Sequence, residues 1–178
     1  MRTLTTIAAT LLSSTLGVSA STVLARDDHH SKRDHQAARL SGYQEVPSIS
    51  TVASGRFKAS IDDQSGSIHY ELSYSGLEAE VRQAHIHFGQ RSVNGGISVF
   101  LCQTTFNPDP TGLAPTCPQS GTVTGVLTLN NVIGPAGQGI AATEFAELVA
   151  AIRAGVAYAN VHSTKFPGGE IRGQLRDD

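Results

Sequence analysis

Short segments in which apolar and polar residues alternate recur along most of this 178-residue chain. Successive side chains of a β-strand point to opposite faces, so alternation over roughly four to eight residues predicts a strand with one buried face. Gly, Pro, Asn and Ser bound the segments, as expected for tight turns between strands. The segments are GRFKASIDD, GSIHYELSYSG, QAHIHFGQ, GISVFLC, GTVTGVLTL, VAYANVHS and EIRGQL. This pattern predicts an all-β sandwich or barrel.

One segment, TEFAELVAAIRAG, has helical periodicity instead. The apolar residues that recur at the spacing of one helix face are Phe145, Leu148, Val149 and Ile152. We predict one short helix here, with Thr143 as its N-cap and Gly155 ending it. It is expected to cover one end of the sheets.

The segment QAHIHFGQ carries two histidines at alternate positions of a predicted strand. His85 and His87 therefore share one face, while Ala84, Ile86 and Phe88 share the other and face the core. The Cα atoms of the two histidines are expected to lie ~6.5–7 Å apart, a distance from which both rings can reach one metal ion. A solvent-facing pair of histidines without a metal is the alternative interpretation.

A third histidine lies in a later strand of the same polarity. In VAYANVHS the side chains of Tyr158, Asn160 and His162 share one face, and after a PGGE turn EIRGQL returns as the second strand of a hairpin. Gly168 is expected to take a positive φ in that turn. The second strand adds three polar side chains to the same face, those of Glu170, Arg172 and Gln174.

The two histidine-bearing strands together predict a metal site formed by His85, His87 and His162 at the surface of the sheet. The prediction requires the two strands to be neighbours, which the sequence does not establish. Three neutral imidazoles favour copper, and zinc less so, over magnesium or calcium. A fourth ligand is expected to be His69, Glu170 or water.

Cys102 and Cys117 are the only cysteines of the chain, and the segment between them is rich in Pro. In an oxidising compartment they are expected to form a disulfide bond. By closing the segment between them, this bond would stabilise the fold by about 3 kcal/mol in the chain-entropy model. Two free thiols are the alternative. A zinc site is disfavoured, because zinc-binding cysteines usually lie roughly two to four residues apart.

The amino terminus has the pattern of a secretory signal. Arg2 precedes an apolar stretch, and small residues suited to cleavage end at Ala20 or Ala25. We predict a signal peptide over residues 1–25, a disordered, charged, histidine-containing leader over 26–36 and one folded domain over 37–178. The protein is then exported to the periplasm or the extracellular space.

Charge and hydropathy disfavour two classes of partner. The formal net charge is −2 and no basic stripe is interleaved with aromatic residues, so nucleic acid is not an expected partner. No stretch after the signal approaches the roughly 20 apolar residues of a membrane span. A metal ion is the expected partner, and a partner protein is the alternative.

Three runs of residues identify a family. LSGYQEVPSISTVASGRFKASID, AHIHFGQRSVNGGISVFLC and LVAAIRAGVAYANVHSTKFPGGEIRGQL occur in this order and resemble the CHRD domain, a chordin-type module also found in exported microbial proteins. The resemblance covers about residues 37–175. It implies an all-β, immunoglobulin-like or Greek-key β-sandwich with one short α-helix.

The run HIHFG is also similar to the copper-binding strand of copper/zinc superoxide dismutases. On this similarity His85 and His87 match the paired copper ligands, and His162 matches the late copper histidine. The zinc loop and the bridging histidine of those enzymes have no counterpart here, so the resemblance implies a copper-only site. If the protein is an enzyme, it is then a superoxide dismutase-like oxidoreductase in which Arg172 is a candidate guide for the anion.

Two functions stay open from the sequence. One is an exported copper-binding protein in copper handling or in superoxide and redox defence. The other is a non-catalytic extracellular module that binds a protein partner or matrix without metal. Replacing one histidine ligand would abolish the first function and spare the second.

Overall fold

The computed structural model describes residues 34–178. In this part of the chain the strands are β1 (Asp34–Ser41), β2 (Ser54–Asp62), β3 (Ser67–Ser75), β4 (Val81–Phe88), β5 (Gly96–Cys102), β6 (Gly121–Leu127), β7 (Ala157–Ser163), β8 (Ile171–Gln174) and β9 (Arg176–Asp177). The α-helix α1 (Phe145–Arg153) lies between β6 and β7, and short 3-10 helices occupy Gly42–Gln44, Leu129–Asn131 and Ala136–Gln138. The prediction of an all-β fold with one short helix is confirmed.

The strands form one antiparallel sheet in the order β5-β4-β7-β8-β1-β2-β3-β6, with β9 paired to β1. A single residue pair, Ser41 with Arg172, joins β1 to β8. The sheet therefore consists of two halves, β5-β4-β7-β8 and β1-β2-β3-β6, connected along a weak seam. The end strands β5 and β6 approach each other, so the sheet is a nearly closed barrel.

One hydrophobic core fills the space between the two halves. Phe57 of β2 and Ile86 of β4 are both fully buried in it. The Tyr70 hydroxyl of β3 donates a hydrogen bond to the Leu101 carbonyl of β5 at 2.6 Å, which links the halves directly. Burying an apolar side chain such as that of Phe57 or Ile86 contributes about 1.5–3 kcal/mol to the free energy of unfolding. The inward residues of the alternating segments therefore stabilise the barrel.

The predicted disulfide is confirmed, since Cys102 and Cys117 are bonded. Asp109 organises the loop that the disulfide closes. Its carboxylate accepts hydrogen bonds from the backbone N–H groups of Thr111, Leu113 and Ala114 at 3.0–3.1 Å. The bond and the carboxylate together fix a segment that has little regular structure of its own.

The predicted helix is confirmed, except for the identity of its N-cap residue. Leu148 and Ile152 are buried, and Gly155 follows the helix with φ of 68°, as a left-handed stop residue should. The N-cap is Glu144 rather than Thr143. Thr143 has φ of 71°, which is outside the extended region that an N-cap adopts, so the chain enters the helix one residue later than predicted.

Strand β1 begins at Asp34, three residues before the predicted domain boundary at residue 37. His35 pairs with Ser60 of β2, and Gln36 is buried and donates to the Asp177 carboxylate at 2.6 Å. Polar side chains hid this part of the strand, because they break the apolar alternation. The predicted signal peptide and the first part of the leader lie outside the described residues. Within residues 34–178, no helix is both long enough and apolar enough to cross a membrane.

The hairpin of β7 and β8 is confirmed, with Tyr158 opposite Gln174 and Asn160 opposite Arg172. Its turn differs from the prediction in one respect: Gly169, with φ of 127°, takes the positive φ that was expected of Gly168. All seven residues of β7 are buried, so both of its faces are covered. The inner face lies on the core, and the outer, polar face lies beneath loops.

Candidate metal centre

Strands β4 and β7 are neighbours, as the predicted metal site requires. Their register places His162 opposite Gln83 and Asn160 opposite His85, so these side chains share the outer face of the sheet. One ligand atom from each of His85, His87 and His162 lies within 4.8 Å of the others. The strand pairing therefore brings the three sequence-predicted ligands together.

The three histidines are buried, whereas the sequence led us to expect a site at the surface. His85, His87 and His162 are 0 %, 7 % and 5 % exposed. The loops between β4 and β5 and between β7 and β8 supply the backbone carbonyls of Gly95 and Pro167 to the histidine rings. These loops exclude water from a polar face that strand alternation alone would leave open.

Two of the rings are anchored through Nδ1. His87 Nδ1 lies 2.9 Å from the Gly95 carbonyl oxygen, and His162 Nδ1 lies 3.0 Å from the Pro167 carbonyl oxygen. A carbonyl only accepts, so in both neutral rings the proton is on Nδ1 and the lone pair is on Nε2. Metal-binding histidines are usually held in this way, with the second nitrogen donating to a carbonyl or carboxylate.

Nitrogen atoms of His85 and His87 are buried without a partner. Nε2 of each ring has no hydrogen-bond partner among the described residues. His85 Nδ1 lies 3.1 Å from His162 Nε2. Two nitrogens bound at about 2.0 Å to one tetrahedral ion lie about 3.3 Å apart, so this spacing also suits two ligands of one metal.

Burial keeps all three rings neutral at physiological pH. It lowers the pKa of His87 and of His162 to about 4, although the carbonyls of Gly95 and Pro167 act in the opposite direction. Burial and the neighbouring rings hold the pKa of His85 well below its ordinary value. Neutral imidazoles offer lone pairs to a metal without first losing a proton.

The chemistry of the three histidine donors is that of a metal site. Three neutral nitrogen donors converge, and the tautomers of His87 and His162 are fixed. His87 Nε2 is buried and has no hydrogen-bond partner in the described part of the chain. Imidazole donors suit copper and zinc rather than magnesium or calcium. The residues fit such an ion.

Tyr158 and Arg172 pack behind His87. The rings of Tyr158 and His87 are stacked with centroids 4.8 Å apart, and the Arg172 guanidinium lies 3.3 Å from the centre of the Tyr158 ring. Arg172 is 2 % exposed and donates to the carbonyls of Gln90 and Val93 at 3.1 and 2.9 Å. Its charge is therefore enclosed near the site, and its role as an anion guide stays a prediction.

The two protein residues expected as a fourth ligand lie outside the histidine group. His69 is exposed on β3, in the other half of the sheet. Glu170 is fully buried, and its Oε1 accepts hydrogen bonds from the Thr51 hydroxyl and the Glu78 N–H at 2.8 and 2.9 Å. Neither belongs to the cluster of three, and water as a ligand stays a prediction.

Three further residues near the histidines were missed as site residues. Asn160 Oδ1 lies 3.0 Å from His162 Nε2, and strand alternation had already placed Asn160 on the same face. Arg82 is half-buried, and its charge contributes to the low pKa of His162. Glu45 lies in a loop, and no local sequence pattern indicates that this loop is near the histidines. Burial raises the Glu45 pKa to about 7, against the opposing effect of Arg172.

The CHRD domain family matches residues 36–175 of the chain. No match was found among the curated proteins or among the solved structures. The similarity of the histidine strand to superoxide dismutases stays a resemblance. Because the match covers well over half of the chain and nearly all of its described residues, this protein belongs to the CHRD domain family.

Proposed function

We propose that this CHRD domain protein is exported and binds one copper ion through His85, His87 and His162. The observation that carries the proposal is the convergence of three buried, neutral imidazoles from two neighbouring strands. Within residues 34–178, His87 Nε2 has no hydrogen-bond partner, although a buried polar atom left unpaired costs about 1–3 kcal/mol. A bound metal ion would accept the lone pair of this nitrogen.

Copper is proposed ahead of zinc for a chemical reason. Nitrogen sites bind copper more tightly than other divalent ions of the first transition row, including zinc. Bound copper would supply electron exchange between its two common oxidation states. Zinc held by the same histidines is the competing outcome.

The surrounding residues hold the rings and keep water away. The Gly95 and Pro167 carbonyls fix the tautomers of His87 and His162. Phe100 packs edge-on against His85, with ring centroids 4.3 Å apart. Rigid rings beneath loops favour a site that retains its metal over one that exchanges it freely.

Two biological uses fit such a site, namely copper handling and superoxide or redox defence. Arg82 favours the second, because it is a half-exposed cation whose charge reaches His162. Turnover of superoxide by the copper-loaded protein would assign it to redox defence. Retention of copper without turnover would assign it to copper handling. The disulfide supports export, since such bonds persist in oxidising compartments.

Exposed apolar side chains on the disulfide loop are the observation that favours the alternative, a module that binds a protein partner. Phe106 and Leu113 are 75 % and 55 % exposed. Single exposed apolar residues are common on protein surfaces, whereas binding sites usually present a contiguous patch. Copper binding is therefore retained as the proposed function.

Metal analysis and electron paramagnetic resonance (EPR) of the copper(II)-loaded protein test the proposal. We expect one copper per chain with nitrogen hyperfine structure, and its loss when His85, His87 and His162 are all replaced by Ala. His69→Ala is the matched control, because this exposed histidine lies outside the cluster, and it should leave copper unchanged. Equal copper in the triple variant would overturn the proposal and would point to other histidines, such as those of the predicted leader.

A further inference from the structure

Asn160 lies at the centre of the polar face, between the histidines of both strands. It is 2 % exposed, and it pairs across the sheet with His85. Its Oδ1 lies 3.0 Å from His162 Nε2. Asn160 also acts to raise the pKa of His87, in opposition to the effect of burial. The amide oxygen therefore sits beside the nitrogens that converge in the metal centre.

In the neutral form of the site, neither His87 nor His162 has a ring proton free to bond this oxygen. His87 and His162 each have their one proton on Nδ1, where it is donated to the carbonyls of Gly95 and Pro167. The Nε2 atom of His162 and the Asn160 oxygen thus face each other as two acceptors at 3.0 Å. Two facing lone pairs repel, and a cation bound to both would remove the repulsion.

Rotating the Asn160 amide by half a turn, so that Nδ2 faces His162 Nε2 in place of Oδ1, would also remove the repulsion. Glu45 opposes that orientation. A Cβ atom on Gly169 would stand 2.4 Å from Glu45 Oε1 and 2.9 Å from Asn160 Nδ2, so both groups border the same small space. Asn160 is one of the groups that favour the charged form of Glu45. The structure places Asn160 Oδ1 toward His162, and the charged form of Glu45 favours this orientation because a carboxylate only accepts hydrogen bonds.

We propose that Asn160 completes the copper site, with its Oδ1 as a fourth ligand beside the three histidine nitrogens and Glu45 orienting the amide. This inference rests on the proposed copper function. An amide oxygen is a harder donor than imidazole, so a set of three nitrogens and one oxygen favours copper(II) over copper(I). The absence of a side chain at Gly169 leaves open the space that Glu45 Oε1 and Asn160 Nδ2 both border.

The test uses the full chain loaded with copper(II). Asn160→Ala is expected to lose roughly tenfold to a hundredfold in copper affinity and to change the parallel g and hyperfine values of the EPR spectrum. Asn160→Asp keeps an oxygen ligand and is expected to retain copper. The matched control is Gln83→Ala, which removes an amide from the same face of the sheet, on β4 opposite His162. This control is expected to leave affinity and spectrum unchanged.

Labelling asparagine with ¹³C at its side-chain carbonyl gives a readout that does not depend on a destabilised variant. Electron–nuclear double resonance should show a ¹³C coupling to copper in the wild-type protein and none in Asn160→Asp grown with the same label. A wild-type protein that binds copper but shows no ¹³C coupling would overturn the proposal while leaving the three-histidine site intact. An unchanged spectrum and affinity in Asn160→Ala would overturn it too. Failure of the wild-type protein to bind copper would instead refute the proposed function itself.

Discussion

Competition from protons at the three histidines is expected to change copper affinity little between pH 7.5 and pH 5.5. Protons compete with metal ions for imidazole nitrogens, so affinity falls wherever the histidines of the metal-free protein become charged. A histidine with an ordinary pKa of about 6.5 is ~90 % protonated at pH 5.5, so three such ligands would lose roughly a thousandfold in affinity.

The buried rings of this protein behave differently. The pKa of His87 and of His162 is lowered to about 4, and that of His85 also lies well below its ordinary value. A ring with a pKa of about 4 is only about 3 % protonated at pH 5.5. Competition at the histidines should therefore cost less than about twofold in affinity. Titration against a chelator of known pH dependence, at pH 7.5, 6.5 and 5.5, measures this directly.

Glu45 titrates in the same range and has to be separated from the histidines. Burial raises its pKa to about 7, so acidification removes a negative charge near the site and weakens the attraction for a cation. The variant Glu45→Gln keeps the shape of the side chain without the titration. A hundredfold or greater loss of copper affinity in Glu45→Gln between pH 7.5 and 5.5 would show that the histidines titrate as exposed rings do, contrary to this prediction.

Three further predictions concern stability and are measured by urea unfolding. Gly169→Ala should destabilise the protein by about 1–3 kcal/mol, because an alanine is strained at the Gly169 φ of 127° and its Cβ would stand 2.4 Å from Glu45 Oε1. Gly168→Ala, with no atom within 4 Å of its Cβ, should change stability by less than about 0.5 kcal/mol, and equal effects would contradict this account. Replacing both disulfide cysteines by Ser should cost about 3 kcal/mol, and no change would show that the bond does not constrain the unfolded chain. Leu148→Ala should cost about 2–5 kcal/mol because Leu148 is fully buried, whereas a cost below 1 kcal/mol would mean that α1 is not packed on the core.

Period-two alternation was sufficient to predict strands β2 to β8 and the shared face of the three histidines. His85 and His87 follow from a single strand, and His162 follows from the polarity of a second one. The adjacency of β4 and β7 was an assumption, because the pairing of strands distant in sequence depends on the whole topology.

The covering of the site was not predictable from local patterns. The Gly95 and Pro167 carbonyls and the Glu45 carboxyl come from loops, whose paths are set by long-range packing rather than by periodicity. The burial of Arg172 was missed for the same reason, since its partners are carbonyls of the loop after β4. The start of β1 was missed because the pairing of Asp34 with β2 is made by the backbone and leaves no apolar signal.

Anomalous X-ray diffraction at the copper absorption edge, from crystals of the copper-loaded protein, tests the central claim most directly. We expect one strong peak about 2.0–2.3 Å from a ring nitrogen of each of His85, His87 and His162. A peak held by other residues, or no peak between these three rings, would contradict it.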